Sequence, residues 1–124
     1  MTDLTKFQYL SLQTQRRDGR LVATPVWFAE QDGTFYIRTQ AESGKVKRSR
    51  NFPNVQIAPC KSNGALLGDW HPATVRIAAD EQTNQMADKM LDKKYGWFKK
   101  LFEIITRTNK STYTTLVVTP KTPA

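Results

Sequence analysis

The chain has 124 residues, 39% of them hydrophobic, and includes six Phe, four Tyr and three Trp. This length fits one domain over residues 1–124, and the aromatic content argues against a disordered chain. The 19 Lys and Arg exceed the 11 Asp and Glu and give a net charge of +8, which favours an anionic partner such as a phosphate-bearing cofactor, a nucleic acid or an acidic surface.

The scarcity of cysteine and histidine excludes two kinds of site. With one cysteine, Cys60, and one histidine, His71, the sequence predicts neither an internal disulfide nor a zinc site. It opens without a basic and apolar leader, and no apolar run approaches the length that spans a bilayer. We therefore expect a cytoplasmic protein with no membrane partner. A soluble protein that is merely basic is the alternative interpretation of the charge.

Three strands are predicted in the first forty residues. The alternating segment Phe7–Thr14 predicts the first, and Asp18-Gly19 predicts a hairpin turn after it. Leu21–Glu30 is predicted as the second strand, and Asp32-Gly33 turns the chain into a third over Phe35–Thr39. This order predicts an antiparallel meander.

The rest of the chain alternates between helix and strand patterns. Ser43 is suited to cap a two-turn helix, which Pro53 ends, and strands follow over Asn54–Cys60 and Ala73–Ala79. A helical period then begins at Glu81 and ends at Gly96. The remaining predicted elements are a second amphipathic helix from Trp97 to Ile105 and a final strand over Thr112–Thr119. The expected fold is mainly β, an antiparallel barrel of six or so strands with a short basic helix after the third and a helical pair before the last.

The short helix carries the densest charge in the sequence. Lys45, Lys47, Arg48 and Arg50 place four cations in two turns, close to a helix start that the helix dipole already makes positive. An anion bound there would compensate them, and Lys45 is the best candidate because it lies in the first turn beside Gly44, which permits a close approach. A solvated basic helix is the alternative.

A second cluster runs from Thr24 to Phe28. Pro25 has no N–H to donate, so within a strand it indicates an edge or a bulge, and Trp27 next to it could line a ligand site. A core Trp at a barrel corner is the alternative. The sequence shows no nucleophile elbow and predicts no catalytic residue, so a cofactor would have to carry any chemistry.

Taken together, several segments resemble the pyridoxamine 5′-phosphate oxidase-like superfamily of FMN-binding split barrels, and within it the small flavin/deazaflavin (coenzyme F-420-dependent) oxidoreductases. The resemblance spans nearly the whole chain. Its segments are Tyr9-Leu10-Ser11-Leu12, Thr24-Pro25-Val26-Trp27-Phe28, Ser43-Gly44-Lys45-Val46-Lys47-Arg48, Asn54-Val55, Ala58-Pro59-Cys60, Lys94-Tyr95-Gly96-Trp97 and Leu101-Phe102.

The resemblance implies a split β-barrel that forms a homodimer with cofactor clefts at the subunit interface. It implies FMN or coenzyme F-420 as the cofactor and hydride transfer between that cofactor and a small organic acceptor. Lys45, with Lys47 or Arg48, would pair with the cofactor phosphate. The hydroxyls of Thr24 and Thr39 would donate hydrogen bonds, and Val26 and Trp27 would line the ring. The implied cofactor-binding residues are Thr24, Pro25, Val26, Trp27, Arg38, Thr39, Ser43, Gly44, Lys45, Lys47 and Arg48.

Two other functions compete with an oxidoreductase. A split barrel of this kind could instead store or carry a flavin or a haem-type ligand without turnover. A nucleic-acid-binding β-barrel would explain the positive charge and the aromatic residues near basic ones. Against it, Trp97, Phe98 and Phe102 fall on one helical stripe, which is more simply explained as core.

Overall fold

Seven antiparallel strands and two α-helices make up most of what the computed structural model describes, which is residues 3–96 and 113–121. The elements in chain order are β1 (Tyr9–Gln15), β2 (Leu21–Val26), β3 (Ala29–Gln31), β4 (Thr34–Gln40), α1 (Gly44–Asn51), β5 (Asn54–Cys60), β6 (His71–Ala78), α2 (Glu81–Tyr95) and β7 (Tyr113–Pro120).

The strands form one sheet in the order β2-β1-β5-β6-β7-β4-β3. Only two residues, Trp27 and Phe28, join β2 at one end of this order to β3 at the other. The sheet must therefore curl until its two ends approach each other, which produces a half-open barrel. The predicted mainly β split barrel, with a short basic helix after the expected third strand, is confirmed.

The predicted meander is wrong in one respect. The expected second strand, Leu21–Glu30, is divided into β2 and β3. Only β3 pairs with β4 as predicted, whereas β2 does not, and the other neighbour of β4 is β7. The division occurs because the backbone N–H and carbonyl of Phe28 bond to the side-chain hydroxyl of Tyr95 instead of to a neighbouring strand. Pro25 lies in β2 at an edge of the sheet, as its missing N–H predicts.

Turn and capping residues in the sequence mark the boundaries of several other elements. Asp32 and Gly33 both have positive φ values, 54° and 81°, in the two-residue turn between β3 and β4. Ser43 caps α1 by accepting a hydrogen bond from the Val46 N–H, and Asp80 caps α2 in the same way from Thr83. β6 begins at His71, two residues before the predicted strand over Ala73–Ala79. The predicted second helix, Trp97–Ile105, lies outside the described residues.

The core fills the concave side of the curled sheet. Leu10, Leu12, Ile37, Ile57 and Leu116 are fully buried there, together with Phe28 and with Val46 of α1. α1 packs against β1 and β6, so it closes one end of this core. α2 packs on the face of β4 and β7 that points away from this core. Its hydrogen-bond partners Arg38 and Thr115 lie on that face, because they alternate along the strands with core residues such as Ile37 and Leu116.

Candidate functional site

A cleft of about 450 Å³ lies where the two ends of the sheet approach each other. β2 and β4 both line it although they are not neighbours in the sheet, so the curl of the sheet creates the cleft. Its volume is in the range of small-molecule binding sites. The lining residues are Tyr9, Pro25, Val26, Trp27, Arg38, Thr39, Gln40, Ser43, Lys45 and Tyr113.

Lys45 brings an uncompensated positive charge to the cleft. It lies in the first turn of α1 and is partly buried. Burial and the nearby Arg48 guanidinium both lower the pKa of Lys45, which means that its surroundings disfavour the charged form. Within residues 3–96 and 113–121, no carboxylate lies within 4 Å of its ammonium group. An anionic ligand would supply the missing counter-charge.

Arg38, the other cation of the lining, already has an acidic partner. Its Nε donates to Asp88 Oδ1 of α2 at 2.9 Å, and Nη1 donates to Thr115 Oγ1 on β7 at 3.2 Å. The Asp88 carboxylate therefore offsets the charge of Arg38 and holds its side chain against α2. Of the two cations, Lys45 is the one whose charge is left for a ligand.

Arg48 turns away from the cleft. Its Nε donates to Thr14 Oγ1 of β1 at 2.6 Å, which ties α1 to the sheet. Its guanidinium also occupies the space beside Gly44, where an added Cβ would lie 2.5 Å from Nη1. Glycine at this position therefore makes room for Arg48.

The cleft brings together seven of the eleven residues that the sequence singled out, namely Pro25, Val26, Trp27, Arg38, Thr39, Ser43 and Lys45. The other four do not line it. Thr24 lies on β2, paired in register with Leu12, while Gly44 and Arg48 contact each other at the start of α1. Lys47 is exposed on the same helix.

Three lining residues were missed from the sequence. Gln40 and Tyr113 are paired in register across β4 and β7, and only the strand order places them beside α1. Tyr9 begins β1 and belongs to a segment of the family resemblance, which was the one available signal for it. With Trp27, the two tyrosines give the cleft three aromatic side chains that suit a planar ring.

Trp27 is held from outside the cleft by α2. Its ring stacks on the Tyr95 ring with centroids 4.6 Å apart and an interplanar angle of 11°.

Among the described residues, no group of three or more His, Cys, Asp or Glu could hold a metal ion. Nor does any helix among them have the length and apolar character needed to cross a membrane.

No protein-family model and no curated protein matches this chain. Solved structures do match its fold. A proposed pyridoxamine 5′-phosphate oxidase from Listeria innocua is 15% identical, with a TM-score of 0.63 over 96% of this chain and 88% of that one. The haem storage protein HutZ from Vibrio cholerae is 13% identical, with a TM-score of 0.70 over 97% and 86%.

An F420 reductase is 16% identical to this chain, with a TM-score of 0.61 over 96% of this chain and 91% of that one. At these identities the likeness concerns the fold. It agrees with the curled seven-stranded sheet, whose two ends meet beside a short basic helix. The chain therefore has a split-barrel fold, which it shares with these solved structures.

Proposed function

We propose that this protein is a flavin- or deazaflavin-dependent oxidoreductase that acts as a homodimer with cofactor clefts at the subunit interface. The observation that carries the proposal is Lys45, a partly buried cation without an acidic partner among the described residues, in a cleft with an aromatic wall. Neighbours of the same fold include an F420 reductase and a proposed pyridoxamine 5′-phosphate oxidase, which supports the cofactor class.

The residues of the cleft fit a phosphate-bearing flavin. Lys45 would pair with the phosphate, and the hydroxyls of Ser43 and Thr39 each have a hydrogen to donate to it. Ser43 Oγ can do so while it accepts the capping hydrogen bond from Val46, because a hydroxyl both donates and accepts. Trp27, Tyr9 and Val26 would bind the ring and exclude water from one side of it.

A bound flavin or deazaflavin would supply the chemistry, which is the transfer of a hydride between the cofactor and a small organic acceptor. The contribution of this chain is to bind, to orient and to keep water out. None of the lining side chains is a nucleophile paired with a base, so the protein is not expected to form a covalent intermediate of its own.

The test is a titration of the full chain with FMN and, in parallel, with coenzyme F-420. We expect one of them to bind, and we expect Lys45→Ala to weaken that binding by about 1.5–3 kcal/mol, the range of a charge-assisted contact. The matched control is Lys47→Ala, which removes the same charge from the same helix at an exposed position. Equal losses of cofactor affinity in the two variants would show a general effect of charge. They would contradict the assignment of Lys45 to the cofactor phosphate.

A non-catalytic carrier of a flavin or haem-type ligand is the second candidate, because the neighbours also include the haem storage protein HutZ. An oxidoreductase should consume its reduced cofactor when an acceptor is added, whereas a carrier should only bind. Binding of neither cofactor would overturn the proposal. Salt-dependent binding of single-stranded nucleic acid would then be the next measurement, given the net charge of +8.

A further inference from the structure

The last residue of α2 closes the gap between the two ends of the sheet. The Tyr95 hydroxyl accepts a hydrogen bond from the Phe28 N–H at 3.0 Å. Its own hydrogen can go to the Gln8 carbonyl at 2.8 Å or to the Phe28 carbonyl at 3.0 Å. Gln8 precedes β1 and Phe28 lies between β2 and β3, so we call this meeting point of Gln8, Phe28 and Tyr95 the seam.

The seam is built to keep this hydroxyl neutral and in place. Tyr95 is only 6% exposed, and its burial raises its pKa well above the ordinary value, so that the hydrogen it donates is retained. Lys94, the preceding residue, lies over the Phe28 ring with its ammonium 3.3 Å from the ring centroid. Two consecutive residues of α2 therefore hold Phe28, one through its backbone and one through its ring.

The same Tyr95 ring sets the orientation of the cleft wall. It stacks on Trp27 from the side of α2, and Trp27 lines the cleft whereas Tyr95 does not. Trp27 precedes Phe28 directly in the chain. A tyrosine that binds the backbone of residue 28 and the ring of residue 27 leaves the indole little freedom to rotate.

We propose that Tyr95 is a positioning residue for the cofactor, which acts by fixing the plane of Trp27 against which the ring of the cofactor packs. The inference rests on the proposed function and extends it to a residue outside the cleft. Binding a planar ring against a mobile indole would require that the indole be ordered at the same time, so a fixed indole binds more tightly.

The test uses Tyr95→Phe, which keeps the stacked ring and removes the hydroxyl. We expect the dissociation constant for FMN or coenzyme F-420 to rise about five- to tenfold, the equivalent of one hydrogen bond. In a Trp70→Phe/Trp97→Phe background, where Trp27 is the one tryptophan left, we expect acrylamide to quench Trp27 fluorescence more strongly in the variant. The matched control, Tyr36→Phe, removes a phenolic hydroxyl on β4 outside the cleft lining and should change neither value.

A double mutant separates positioning from a loss of stability. If Tyr95 acts through Trp27, then Tyr95→Phe should change the affinity of the Trp27→Ala protein by less than about twofold. The proposal would be overturned if Tyr95→Phe lowered the affinity of the Trp27→Ala protein by the same five- to tenfold. It would also be overturned if acrylamide quenched Trp27 equally with and without Tyr95→Phe. Failure of the unmodified chain to bind either cofactor would refute the proposed function and the cofactor role of Tyr95 together, and the quenching comparison would still decide whether Tyr95 holds Trp27.

Discussion

Lys94 is a partly buried cation on the face of an aromatic ring. Its ammonium is 3.3 Å from the Phe28 ring centroid and 5.3 Å from that of Tyr95. Burial lowers the pKa of Lys94 to about 8, while the carboxylate of Glu30 favours the charged form. The unfolded chain should titrate near the ordinary lysine value of about 10.4. Between these two values the unfolded chain binds more protons at this position than the folded chain does.

Stability at this position should therefore increase with pH across that window. The unfavourable contribution of burying the charge is complete below about pH 8 and disappears as the pH rises towards the unfolded pKa. We expect the free energy of unfolding of the unmodified chain, relative to that of Lys94→Met, to increase between roughly pH 8 and pH 10. Urea denaturation at several pH values measures it, with Lys89→Met as the exposed control on the same helix. A relative stability that falls over this window would mean that the Phe28 ring favours the charged form more than burial opposes it.

A polar contact helps to dock helix α1 to the sheet, in addition to the buried Val46. Thr14 is 1% exposed and its Oγ1 accepts the 2.6 Å hydrogen bond from Arg48. This contact turns Arg48 towards β1 and leaves Lys45, one turn earlier, towards the cleft. Two cations of one short helix thus lie in different surroundings, which the spacing of charges along the sequence does not distinguish.

Replacing Thr14 by Val tests this docking. The variant keeps the shape and the β-branch of the side chain but removes the acceptor. The free energy of unfolding should therefore fall by about 1.5 kcal/mol, the low end for a bond to a charged group, because Arg48 can still reach water. Thr74→Val, at an exposed position on β6, is the matched control and should be nearly neutral. Urea unfolding of both variants measures these changes in the free energy of unfolding. An equal effect in the two would mean that Arg48 does not depend on Thr14.

At the scale of the whole molecule, a chain of 14.2 kDa buries a modest share of its surface, and three leucines are exposed within the part of the chain that the structure describes. Leu21 is 59% exposed, and the consecutive residues Leu66 and Leu67 are each 47% exposed. In the proposed homodimer, a second copy of the chain would cover some of these exposed leucines.

The dimer is tested by the mass in solution. Light scattering should give twice the chain mass at micromolar concentration, and the thermal midpoint should rise with protein concentration, since association stabilises the folded chain. Cofactor titration should saturate at one molecule per chain. A single-chain mass at every concentration, with cofactor still bound, would refute the dimer and leave the cleft as a site formed by one chain.

Most of the secondary structure followed from local signals. The turn at Asp32-Gly33, the cap at Ser43 and the stop at Pro53 act over a few residues, and there the predicted and observed boundaries agree closely. Charge density also pointed to Lys45, because a cation in the first turn of a helix calls for an explanation wherever it occurs. These features depend on neighbouring residues, so the sequence alone determined them.

The separation of β2 from β3 and the composition of the cleft were decided only by the tertiary structure. The bond from Phe28 to Tyr95 spans 67 residues and that from Tyr95 to Gln8 spans 87, so no local pattern could show that the chain breaks its strand at Phe28. Gln40 and Tyr113 likewise meet through strand pairing. Such contacts become favourable only once the sheet has curled and excluded water from the seam, and that condition belongs to the whole fold.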